Sequence, residues 1–412
     1  MKKQDQYRRP KGGYLFFSYA ILIGWLCIGC ESTSKEPQQW QIKASENFNL
    51  YPIVHKEKVI LPGKCGGLDC LKAVRLDTGA PLWDWLDRDS VLHRCYYNLQ
   101  HYIFDDILML PIGSSLIAIN LANGKTLWQD QKNWPAESFL EGIGARVFRT
   151  YYDNRNRQAR LLAFDIYTGD SRQLKVFPIP AAGKLLVRTP AIAVLEGQDT
   201  VCISSTIHYI PKQMTNSQLI SWRLNDTSFQ KTIQIYPDNL NGDGVTKQGI
   251  VDGIISYWVA GQQIVAINLK SQKELWRDTF PHGMLTSRLL LDDGRLFYAC
   301  ENEALYALDA ENGGIIWECP IAGTPSRVYV NRDKIYLVGG SDGNLYVIDK
   351  NKGTLQFKYH STDLALKVNR SLRRTFYAGN DKVIVTDFRN WYAFDIQPGQ
   401  GIKVEGIPAK ER

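Results

Sequence analysis

The chain has 412 residues, 44% hydrophobic and 11% aromatic, which is enough apolar material for a large core. Its net charge of +7 is concentrated at one end, where Lys2, Lys3, Arg8, Arg9 and Lys11 against Asp5 leave +4 in the first 30 residues. The remaining 44 basic and 41 acidic residues form no basic stripe, which argues against a nucleic-acid-binding surface.

The basic start runs into YLFFSYAILIGWLCIG, residues 14–29, and then Cys30, the layout of an export signal. Gly29 directly before Cys30 resembles the lipobox of bacterial lipoproteins, in which the cysteine is lipidated and becomes the mature N-terminus. Cys27 departs from that pattern, which prefers an aliphatic there. The alternative is an uncleaved signal anchor, since about 18 apolar residues can span a bilayer. The polar ESTSKEPQQ after Cys30 suits a tether and favours lipidation. Glu31 after the cysteine, by the same resemblance, points to the outer membrane. Both readings place the body of the protein outside the cytoplasm. The expected organisation is a signal peptide over 1–29, a tether with a closing strand over 30–45, a folded body over 46–405 and a tail over 406–412.

In the body, Cys65 and Cys70 bracket GGLD in a hairpin that an exported protein could close with a disulfide. The next residues, LKAVRLDTGAPLWD from Leu71, then recur along the chain. They return as LIAINLANGKTLWQ from Leu116, LLAFDIYTGDSRQL from Leu161, IVAINLKSQKELWR from Ile264, LYALDAENGGIIWE from Leu305 and LYVIDKNKGTLQFK from Leu345. With the turn as register the copies fall at Gly79, Gly124, Gly169, Thr227, Gln272, Gly313, Gly353 and Gly399, at gaps of 45, 45, 58, 45, 41, 40 and 46. Four residues after the register point stand Trp83, Trp128, Trp276 and Trp317, with Phe357 in a fifth copy and Gln173, Lys231 and Lys403 in the others.

Each copy holds four short apolar runs rich in Val, Ile, Tyr and Leu, broken by Gly, Asn and Asp. Four strands joined by tight turns occupy about 40–45 residues, the length of one propeller blade. The expected fold is all-β: an eight-bladed β-propeller of four-stranded antiparallel blades. Within the motif, Asp309 opens the turn and Gly313 supplies its positive φ. Small residues at Ala73, Ala118, Ala163, Ala266, Ala307 and Ala393 are read as sockets for the tryptophan of the adjacent blade. Trp83, Trp128, Trp276, Trp317 and Phe357, with Gly79, Gly124, Gly169, Gly313 and Gly353, thus form a docking set between blades.

Ala-x-Asp-x-x-x-Gly-x-x-x-Trp, repeated from about Phe48 to Val404, resembles the tryptophan-docking motif of the PQQ-type β-propellers. That resemblance implies ring closure by strands from both termini, with Gln39–Ser45 beside the last blade. The dehydrogenases of this family hold their quinone beneath a disulfide of adjacent cysteines, with a calcium ion nearby. This chain has no Cys-Cys pair, so no cofactor, catalytic residue or enzymatic activity is expected. The histidines, His55, His93, His101, His208, His282 and His360, show no metal-ligand spacing. Asp238–Thr246 mimics the start of a calcium loop, but Ile250 stands where the bidentate acid belongs, so no metal is expected. Cys300 and Cys319 fall on strands separated by a third and read as buried thiols.

A lipid-anchored, catalytically empty propeller of this length resembles the BamB family of outer-membrane protein assembly lipoproteins. The resemblance implies a protein partner, the barrel-assembly machinery, and a membrane contact through the anchor. The family's Leu-x-Leu-Arg partner-binding loop corresponds here to Leu185-Leu186-Val187-Arg188, with valine in place of the second leucine, so Leu185, Val187 and Arg188 are the partner-binding candidates; an ordinary inner strand is the other reading. A glycan- or ligand-binding propeller is the rival class, carried by Tyr151 and Tyr152 beside Asp153, Asn154 and Arg155, which could stack on a sugar.

Overall fold

The computed structural model describes residues 38–43, 52–86, 101–112, 114–130, 135–136, 140–181, 184–187, 190–193, 200–209, 216–224, 230–236, 249–260, 263–279, 289–300, 302–323, 325–359, 374–379, 382–386, 390–395 and 402–403. Chain contacts divide the protein into Met1–Lys35 and Glu36–Arg412, and all the described residues belong to the second unit.

The described elements are all strands, paired antiparallel in small sheets. Seven sheets are drawn from consecutive stretches of chain: I (residues 53–86), II (102–130), III (141–178), IV (184–236), V (250–279), VI (290–320) and VII (329–359). An eighth sheet, VIII, combines Arg374–Gly379, Lys382–Thr386 and Asn390–Asp395 with Gln38–Lys43 from the other end of the chain. The closing strand expected over residues 39–45 is therefore Gln38–Lys43, running from Gln38↔Phe394 to Lys43↔Asn390.

Two features depart from eight plain four-stranded copies. In sheet IV the inner strand is broken in two, Lys184–Val187 and Ala191–Ala193, both lying on Val201–Tyr209. The eighth copy does not complete its own sheet. Its last strand, Ile402–Lys403, pairs with the outer strand Leu355–Tyr359 of sheet VII, because Gln38–Lys43 already holds the place beside Asn390–Asp395.

The second and third strands of the sheets are buried on both faces, as in Ile107–Ile112 and Ser115–Asn120, because a neighbouring sheet covers each side. Apolar clusters join I to II, II to III, III to IV, V to VI, VI to VII, VII to VIII and VIII to I. The inner strand Ala191–Ala193 of sheet IV runs beside Ile250–Asp252 of sheet V. The sheets thus stand radially in a closed ring, so none is left with an uncovered face.

Within a sheet, the turn between the last two strands ties back to the turn between the first two. Leu76 N–H donates to Glu57 O, Leu121 to Asp106, Ile166 to Ala145, Leu269 to Ile254, Ala310 to Gly294 and Lys350 to Asp333. One end of the ring is therefore paved with paired tight turns.

Candidate interaction surface and the seams that position it

The tryptophans sit in the seams between sheets, and the seam is built from three parts. The first is a cross-strand pair: Ala73 lies opposite Trp83, Ala118 opposite Trp128, Ala266 opposite Trp276 and Ala307 opposite Trp317. The alanine is thus the indole's neighbour in its own sheet. The expectation that it forms a socket for the tryptophan of the adjacent blade is corrected: a small side chain is needed where the ring lies down over its own strand partner.

The second part is the socket itself, the turn glycine of the next sheet. A Cβ on Gly124, Gly169, Gly313 or Gly353 would stand 2.5–2.7 Å from a ring carbon of Trp83, Trp128, Trp276 or Trp317. Their φ angles of +71°, +78°, +80° and +67° are left-handed as well, so these positions need glycine twice over. The third part is polar: each indole N–H donates to the carbonyl three residues before that glycine, at Leu121 (3.0 Å), Ile166 (2.7 Å), Ala310 (3.0 Å) and Lys350 (3.1 Å).

Trp40 was missed from the sequence. It lies opposite Ala393, its ring covers Gly79, and it donates to Leu76 O at 3.0 Å. It is the eighth sheet's docking tryptophan, supplied from the opposite terminus. The available signal was Gly79, a docking glycine with no indole in a preceding repeat. Phe357 lies opposite Val347, and its counterpart Gly399 lies outside the described residues.

Elsewhere the candidates divide. Cys65 and Cys70 are joined by a disulfide across the hairpin of sheet I. Cys202, Cys300 and Cys319 are buried thiols. Burial pushes the Cys319 thiol up to about 12. Leu185 and Val187 face the interior in the seam between sheets III and IV, Val187 fully buried, so these two side chains are packing residues of an inner strand and present nothing to a partner. Arg188, Cys30 and the calcium-like loop Asp238–Thr246 lie outside the described residues. Among the described residues no group of three or more His, Cys, Asp and Glu side chains is placed to hold a metal.

The proposed sugar platform is overturned. Tyr151 is fully buried against Phe164, and its hydroxyl donates to Asp130 at 2.9 Å while Arg149 lies over its ring. Burial holds its phenol well above the ordinary range. Tyr152 bonds both backbone groups of Val187, and Asp153 binds Asn156 and Arg160. The strands Arg146–Asp153 and Gln158–Asp165 extend further than a tip at Tyr151 would allow.

One exposed cluster lies at the paved end. Across sheets I to III, Lys56 and His55 both contact the Asp106 carboxylate, at 2.7 and 2.9 Å. Beside them Tyr167, 50% exposed, donates to Asp105 at 2.5 Å and meets Phe104 edge-on at 6.4 Å. The lysine first, and then the histidine, hold the Asp106 carboxyl down at about 2. This corner combines two aromatic rings with charges of both signs on turns fixed by backbone hydrogen bonds, the composition of a protein-contact surface.

A ring of radial four-stranded sheets with indoles docked on turn glycines decides the fold. It is a β-propeller. Residues 260–412 match the family model described as outer membrane protein assembly factor BamB. The crystal structure of BamB from Moraxella catarrhalis superposes with a TM-score of 0.56 at 10% identity, over 88% of this chain and 98% of that one. The computationally designed Ika8 protein gives 0.60 at 11% identity, over 87% and 100% of the two chains. Saccharomyces cerevisiae Sqt1 gives 0.56 at 10%, over 88% and 97%. At these identities the likeness is one of fold. No curated protein matches the propeller chain by sequence.

Proposed function

We propose that this PQQ-like propeller is a non-catalytic scaffold for protein–protein contact, held at the outer membrane by a lipid on Cys30. The observation that carries the reading is the corner where Tyr167, Asp105 and Lys56 stand exposed on rigid turns beside the half-buried Phe104, Asp106 and His55, while the seams bury most of the other described aromatics. The match of residues 260–412 to the BamB family model supports a partner in outer-membrane protein assembly. The apolar run ending at Cys30 and the polar tether after it support export and anchoring. An exposed tyrosine ring beside a half-buried phenylalanine, over fixed charges, favours a protein surface with a basic or amphipathic anchor residue.

Mass spectrometry of the mature protein is expected to show an N-terminus at Cys30 carrying acyl chains. Affinity capture from native membranes is expected to recover barrel-assembly components, and Tyr167→Ala to reduce that recovery without changing the thermal melt. An unmodified leader would overturn the anchor. Capture that is unchanged in Tyr167→Ala would overturn the corner as the contact site.

A further inference from the structure

We propose that the outer place in sheet VIII has two claimants within this chain, and that Ile402–Lys403 moves into it when Gln38–Lys43 leaves. The argument begins with spacing. Trp83 follows its strand partner Ala73 by ten residues, and the same interval separates Ala118 from Trp128, Ala266 from Trp276, Ala307 from Trp317 and Val347 from Phe357. Each pair lies directly opposite across the last hairpin of its sheet. Lys403 follows Ala393 by the same ten residues, so the eighth copy has the chain length and register to close its own sheet.

It does not do so here. Ala393 lies opposite Trp40, and Lys403 lies opposite Phe357, one sheet away. Gln38–Lys43 wins the place because it brings the indole that covers Gly79 and donates to Leu76 O, which a lysine at the same register cannot supply. Among the described residues, the displaced strand pairs with sheet VII at Phe357↔Lys403 and Lys358↔Ile402. It waits on the sheet next to its own.

The result is a two-state element. A partner that binds Gln38–Lys43, or a pull on the residues ahead of it, draws that strand out. Ile402–Lys403 then pairs with Asn390–Asp395, the sheet regains its fourth strand, and the outer edge of Leu355–Tyr359 is uncovered as a site where another extended segment could add. Release of Gln38–Lys43 pays out about 20 Å of extended chain without opening the ring.

Cysteine pairs in the full-length protein test this, since directly opposed antiparallel residues fall within disulfide reach. In the otherwise native chain, Phe357→Cys with Lys403→Cys should cross-link, and Ala393→Cys with Lys403→Cys should not. Adding Trp40→Ala and Ile42→Asp should raise the 393–403 link about tenfold, read by peptide mass spectrometry, and lower the 357–403 link; a tenfold shift is a modest change in a two-state balance. The milder Trp40→Phe should give the same order at lower yield. A 393–403 link that stays absent in both variants, whether the chain remains folded or opens, overturns the proposal. So does a 393–403 link of equal yield with native Trp40.

Discussion

The seam between sheets VI and VII and the seam between III and IV solve the same packing problem with different parts. In the first, Trp317 reaches forward from the outer strand, lies on Gly353 and donates across the seam to Lys350 O. In the second, the outer strand carries Gln173 at that position, and the receiving sheet fills the space with its own Trp222, which is fully buried. Trp222 donates to Ser204 within sheet IV at 3.1 Å, so its ring packs the seam without tying it. The polar tie comes instead from Tyr152, which bonds Val187 N–H at 3.0 Å and Val187 O at 3.2 Å. The difference teaches that the motif is a contract between successive copies. Where the donor lacks an aromatic, the acceptor is free of glycine: Lys231 precedes a turn whose left-handed residue is Gln272 at φ +55°.

The comparison can be broken most forcefully at Trp317, 2% exposed. Trp317→Ala is expected to cost about 3–5 kcal/mol in denaturant melts, and a loss below about 1 kcal/mol would contradict its role as cement. Gly353→Ala follows at about 2–4 kcal/mol, because it adds overpacking against the indole to left-handed strain. Gln272→Ala, at a left-handed position that already carries a side chain, should fall within about 0.5 kcal/mol. Equal losses at Gly353 and Gln272 would dissolve the distinction between the two kinds of seam. Tyr152→Phe should cost about 1 kcal/mol, the ordinary worth of the hydrogen bonds it removes.

The smallest expected effect is electrostatic and sits in the seam between sheets I and II. Lys56 and His55 lower the Asp106 carboxyl to about 2, below its unfolded value. Its contribution is therefore present above about pH 4 and is lost as pH falls through about 2. The carboxylate is half exposed, so the loss should be slight and should shrink in salt. An acid titration of Asp106→Asn should lack this step; an identical acid limb in both proteins would remove the ion pair from the account.

The fold was legible because the motif is local: strand, turn and tryptophan fall within one repeat, and Asp309 accepts Glu311 N–H as its position implied. The seams were less legible because their two halves belong to different repeats. Trp40 precedes Gly79 by 39 residues, inside the 36–41 that separate the other tryptophans from their glycines, but it precedes the first recognisable copy. Pairing each glycine with an aromatic upstream would have found it. Tyr151 was misplaced for a different reason. The hairpin turns after Asp153, and strand alternation sends Tyr151 toward sheet II, while a run of Tyr, Asp, Asn and Arg looks the same in a tip as in a strand end. The exposed corner at Tyr167 left no signal, since it is assembled from turns of three copies.

Trp391 donates its indole N–H to Pro62 O across 329 residues of chain. A chain synthesised N-terminus first must therefore keep its earliest strand and sheet unmatched until the final repeat has been made. Premature termination before residue 390 would leave that bond unmade and the circle unsealed, so completion of synthesis is itself the step that licenses a protease-resistant product.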